Sequence, residues 1–154
     1  MKKRPAILLT AAAILLSGCT QFDDGPIMSL YSVEKRLEGS WYFDRVVYGG
    51  VDSSENYVYQ QRIEFLYSRK HEMGAFNWYH NFNVSTTQDN FERGYLNFSE
   101  AKDSLKFTFV NLRTLDTTRI LNWKINRLAY REFWLERTIK DTLKVEWYLW
   151  KWAL

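Results

Sequence analysis

Two apolar periods divide the chain. From Ser40 onward, large apolar residues recur at every second position, the signature of half-buried strands. "SWYFDRVVY" sets Trp41 and Phe43 against Tyr42 and Asp44, with Arg45 on the Trp41 face. "QRIEFLY" aligns Ile63, Phe65 and Tyr67, and "AFNWYHNFNV" aligns Phe76, Trp78, His80 and Phe82. "FERGYLNF" and "LKFTFVNL" follow. "TRILNWKINRL" presents Leu121, Trp123 and Ile125, "YREFWLER" presents Phe133 and Leu135, and "LKVEWYLWK" presents Leu143, Val145, Trp147 and Leu149. Polar turn clusters such as "GGVDSSEN" and "SEAKDS" separate the runs. The count is eight strands in even succession, which predicts an all-β antiparallel meander that can close into an up-and-down barrel. A two-sheet sandwich fits the same periodicity. Ahead of the strands the spacing changes to three and four: Leu30, Val33 and Leu37 define one short amphipathic helix ended at Gly39.

The first residues follow neither period. Lys2, Lys3 and Arg4 precede the uncharged run Ala6–Leu16, and the small residues Ser17 and Gly18 come before Cys19. That order is the layout of a secretory signal, and the run is shorter than the roughly 20 apolar residues of a membrane span. Cys19 is the one cysteine of the chain, so an intramolecular disulfide is impossible. Leu16-Ser17-Gly18-Cys19 resembles the lipobox of bacterial lipoproteins. The resemblance implies cleavage before Cys19 and acylation of its sulfur and new amine, with palmitate-type chains. Several such chains give essentially permanent anchoring, at about 0.8 kcal/mol per buried methylene. The expected organisation is a signal at 1–18, a lipidated cysteine and tether at 19–28, and one domain at 29–154. Thr20, where an aspartate would retain such proteins at the inner membrane, favours the outer membrane. Asp23 and Asp24 resemble an acidic surface-export signal, so either face of that membrane is open.

Processing changes the charge picture. The signal holds three of the 21 basic residues and no acidic one, leaving 18 against 18 acidic groups. The apparent basicity therefore carries no expectation of nucleic-acid binding. The 7 Trp, 10 Tyr and 10 Phe all lie beyond the signal, and such residues pack well on pleated strands.

At the start of the first strand, Gly39-Ser40-Trp41 follows the short helix. This resembles the Gly-x-Trp signature of lipocalins, and the resemblance extends from Leu37 to Lys151. It implies a barrel whose floor is plugged by Trp41, with a basic residue packed on the indole; Arg137 and Lys151 both suit that role. It further implies a small hydrophobic ligand. Two features of larger lipocalins, a helix after the last strand and a disulfide, have no counterpart in the sequence.

Arg45, Tyr67, Trp78, His80 and Trp123 are the candidate ligand contacts, Arg45 and His80 as polar handles on otherwise apolar faces. His80 also reads as a hydrogen-bonded interior histidine, and Arg45 as a buried charge with an acidic partner. His71, in the charged turn "SRKHEM", reads as solvated. No cofactor or metal is expected, since no Cys/His cluster or phosphate loop is present, and without a nucleophile motif an enzyme is not expected. The inward aromatic set is large enough to fill an eight-stranded barrel. A filled structural or protein-interaction module of the envelope is therefore the alternative to a binding protein. Tyr148, Trp150 and Trp152 face outward on the last strand, covered either by the Leu30/Val33/Leu37 helix or by an envelope partner or membrane surface.

Overall fold

The computed structural model describes residues 31–68, 73–81 and 91–151. Leu30, Cys19, the signal and tether, His71, Phe82 and Trp152 lie outside the described residues. Helix α1 (Val33–Leu37) begins at Ser32, whose hydroxyl accepts from the Lys35 amide at 3.3 Å. It is followed by β1 (Gly39–Tyr48), β2 (Val51–Asp52), a 3-10 turn (Ser54–Asn56), β3 (Arg62–Ser68) and β4 (Met73–Tyr79). Then come β5 (Phe91–Phe98), β6 (Ser104–Val110), β7 (Thr117–Leu128), β8 (Glu132–Ile139) and β9 (Leu143–Trp150).

Strands β3 to β9 pair antiparallel in chain order, β1 pairs with β3, and β1 also pairs with β9. That last ladder, Tyr42↔Trp150 through Tyr48↔Val145, closes the ring. The result is the expected eight-stranded up-and-down barrel, with β2 as a two-residue appendage to β1. The sequence reading has a plain turn where β2 lies. Gly49 and Gly50, at φ of 56° and 85°, supply the two positive-φ positions of a tight hairpin turn, so Tyr48 meets Val51 and the strand folds back on itself. A chain starting at Thr20 retains every strand, the closing ladder and every contact described below.

Alternation sends the aromatic residues inward, and their rings meet across the barrel axis. Phe65 of β3 lies 5.9 Å from both Phe107 of β6 and Phe133 of β8. Trp78 of β4 lies 5.0 Å from Trp147 of β9. None of these pairs joins neighbouring strands, so the rings bridge the lumen at successive levels.

Two expectations are corrected here. Arg45 does not face inward. A bulge between Phe43 and Arg45 sets Arg45 opposite the outward Tyr148. One extra residue shifts the alternation, so Val46 takes the core position instead. Arg45 is exposed, 3.6 Å from Asp52 and stacked over the Tyr148 ring. The helix, in turn, does not cover the last strand's outer face. Val33 and Leu37 join the core, and α1 packs against β3 and β7 below the barrel. Tyr148 and Trp150, both half-buried, lie against Trp134 and Tyr42 instead.

Candidate binding site at the open end of the barrel

The two ends of the barrel are built from the same residue types to opposite effect. At the α1 end, Gly39 at φ 118° turns the chain from helix into strand, in a region that side chains with a Cβ rarely adopt. Trp41 is fully buried there, its indole N–H donating to Leu37 O at 2.6 Å. Lys151 lies 4.7 Å over its ring and donates from Nζ to Glu38 O at 2.6 Å and Arg36 O at 3.0 Å. Of the two basic residues suited to the Trp41 ring, Lys151 is the one in place. Arg36 reaches from α1 to Leu128 O at 2.6 Å, tying the helix to the end of β7. Each of these donors holds a carbonyl left over by α1 or a strand end, and the floor is shut.

Arg137 lies at the other end. It shares the inward face of β8 with Phe133 and Leu135, and its guanidinium lies 5.3 Å over the Trp123 ring. Trp123 in turn sits 4.0 Å from Trp147. Both indoles are 2–3% exposed, and neither N–H has a hydrogen-bond partner. Arg119, on the inward face of β7, crosses above Phe109 at 3.9 Å and Trp78 at 5.9 Å. It pairs with Glu92 at 2.7 Å, and Glu92 also meets His80 at 2.9 Å. The His80 hydrogen bond, helped by Arg119 against the cost of burial, holds the Glu92 carboxyl below its ordinary range. Tyr48 and Tyr57 share a hydroxyl hydrogen bond at 2.8 Å, and burial, then Tyr48, pushes the Tyr57 phenol up. Burial lowers the Arg137 guanidinium, Tyr48 opposes this, and Arg119 adds to it. Among the described residues Arg137 has no carboxylate partner.

Trp78, His80 and Trp123 thus come together at the open end, with Trp78 fixed by its N–H to Gln61 Oε1 at 2.9 Å. Tyr67 does not join them. It lies toward the floor, in a groove with Glu34, Phe98 and Lys102, because β3 runs down from Arg62 past the level of Trp41. Arg119, Glu92 and Tyr57 were not among the candidates. Alternation through Arg119, Leu121 and Trp123 carries the signal for the first, and through Glu92, Gly94 and Leu96 for the second. Tyr57 sits beside the 3-10 turn, where no periodicity applies. Among the described residues no group of His, Cys, Asp and Glu is placed to hold a metal ion.

Fold and site together define a closed β-barrel sealed at the α1 end, with a cationic, aromatic cluster at the other. No family model and no curated protein matches the chain. Among solved structures it is similar to a lipocalin-like protein from Bacteroides uniformis ATCC 8492, at 13% identity, over 76% of this chain and 99% of that one, with a TM-score of 0.48. The barrel assignment stands on the strand ladder, not on this likeness.

Proposed function

We propose that the protein is an envelope lipoprotein, anchored in the outer membrane through Cys19, whose barrel binds one small apolar ligand at its open end. The observation that supports binding is the pair of buried, unpartnered indole N–H groups of Trp123 and Trp147. Leaving a buried donor unsatisfied costs about 1–3 kcal/mol, so native folds rarely keep one without use. Trp78 and Trp147 bridge the lumen beneath the site, which limits the ligand to a molecule resting on that ring layer.

Native mass spectrometry of the chain from Thr20, purified gently from a bacterial periplasm, tests the binding. A discrete added mass lost on denaturation is expected. A clean mass after challenge with small apolar molecules refutes it. The anchor is tested separately in the full chain: labelled palmitate should enter it and fractionate with membranes, and Cys19→Ser should abolish both.

A second reading has its own support. The lumen-crossing rings and the outer Tyr42–Trp150 and Trp134–Tyr148 pairs suit a filled barrel that works through its surface. The clean mass would favour it, and Trp150→Ala should then impair partner capture without unfolding the barrel.

A further inference from the structure

We infer that the open end is an anion subsite, at which Arg137, Arg119 and the indole N–H groups of Trp123 and Trp147 receive the acidic group of a flat, apolar ligand. The inference rests on the ligand-binding reading above and names the ligand's head group.

Charge on the site's inner wall is unbalanced. Among the described residues, the one carboxylate paired with either Arg119 or Arg137 is Glu92, which is engaged by Arg119 and His80. Arg137 keeps its charge half-buried over Trp123 with no acidic neighbour among the described residues. Burying charge is unfavourable unless it is paired. At the floor the equivalent cation, Lys151, is satisfied by two carbonyls; at the open end Arg137 stacks on Trp123 with no such acceptor among the described residues. Stacking on Trp123 occupies one face of the Arg137 guanidinium and leaves the N–H edges that bind carboxylate or sulfonate side-on. Phe109, Trp78 and Trp123 carry the two guanidinium groups on their rings, so the surroundings of the anion are aromatic. Among the described residues of this end, the buried polar atoms without a partner are the indole N–H groups of Trp123 and Trp147, both donors.

The test compares two fluorescent probes sharing one aromatic body. 8-Anilinonaphthalene-1-sulfonate is anionic, and N-phenyl-1-naphthylamine is its neutral counterpart without the sulfonate. Both are titrated into the chain from Thr20. Hydrogen bonds to a charged group are worth about 1.5–3 kcal/mol, so the anion should bind roughly tenfold or more tightly. Arg137→Gln should remove that preference while leaving the neutral probe's affinity within about twofold, a level at which lost ionic contacts alone account for the change. Arg137→Lys, which keeps charge but not the flat fork, should retain part of the preference. Trp147→Phe, which deletes one N–H together with one ring of a buried indole, should weaken the anion more than the neutral probe, and Arg119→Gln, on an exposed side chain, serves where Arg137→Gln fails to fold.

Equal affinity for the two probes overturns the anion subsite and leaves apolar binding standing. A preference that survives in both Arg137→Gln and Arg119→Gln also overturns it, because the anion is then held elsewhere. Binding of neither probe overturns this inference together with the reading on which it rests.

Discussion

Replacing Lys151 by methionine removes the barrel's floor clamp while keeping most of its length and apolar stem. The ammonium makes two hydrogen bonds, to Glu38 O and Arg36 O, and lies on the Trp41 ring. Bonds from a charged donor contribute about 1.5–3 kcal/mol each, and the ring contact about 0.5–2 kcal/mol. Against these stands desolvation of the ammonium, which on burial amounts to several kcal/mol. Burial indeed pulls Lys151 below its ordinary value more than Glu38 offsets. The net loss in Lys151→Met is then about 2–3 kcal/mol, much of it the two carbonyls left without a donor. In urea unfolding followed by tryptophan fluorescence, with a slope of about 1–3 kcal/mol per molar, the midpoint should fall by about 1–2 M at unchanged slope. A fall under about 0.3 M would refute the reasoning. It would mean that apolar packing of the stem on Trp41, which methionine reproduces, is what closes the floor.

Other positions give further tests. A Cβ at Gly94 would run into the Thr108 carbonyl oxygen and the Phe76 ring; Gly94→Ala should cost about 1–3 kcal/mol and lower the Tm by about 3–10 °C in a thermal melt. Glu92 is held below its ordinary 4.5 by the His80 hydrogen bond and Arg119, so its stabilising contribution is present above 4.5 and is lost as the pH falls through the folded-state value. Glu92→Gln should therefore be slightly less stable than the parent at neutral pH and show a shallower stability loss below 4.5 in urea titrations at stepped pH. Arg137→Gln should match or exceed the parent in urea, within about 0.5 kcal/mol, since it removes a half-buried charge without a partner. A loss above about 1.5 kcal/mol would make Arg137 a structural cap.

Period-two alternation is a local property, so the strands could be read from the chain itself: Phe91–Phe98 falls on the residues foreseen, and the other strands differ by a few residues at their ends. Closure was legible only by analogy, because the β1–β9 ladder joins residues about a hundred positions apart and no periodicity encodes it. Bulges were not legible at all. Asp44 carries no mark of being the surplus residue, yet it decides that Arg45 faces Asp52 and water rather than the lumen. The same kind of shift between Ile125 and Arg127 is what returns Leu128 to the core at the floor. Alternation fixes which face a residue takes but not its level along the barrel. Arg137 and Lys151 were therefore equivalent candidates for the Trp41 ring until strand register separated them. Tyr67 was lost to the site for that reason, and Arg119 could have been gained.

The contrast between the ends bears on how the fold divides stability from function. A cation over an indole occurs at both, with comparable ring distances of 4.7 Å for Lys151 and 5.3 Å for Arg137. What differs is the supply of acceptors. α1 ends directly beneath Trp41, and the carbonyls of Arg36, Leu37 and Glu38 are there to accept from Lys151 and the Trp41 indole. No helix lies at the opposite end among the described residues, save the 3-10 turn, and there the indole donors of Trp123 and Trp147 go unmatched. Placing one five-residue helix at one end thus makes one cation–tryptophan pair a clamp, while the other has no helix carbonyls beside it among the described residues. Local violations of polar satisfaction are expected where a protein works and not where it is merely held together. On that ground Lys151 at the α1 end should govern unfolding, and Arg137 at the open end should not.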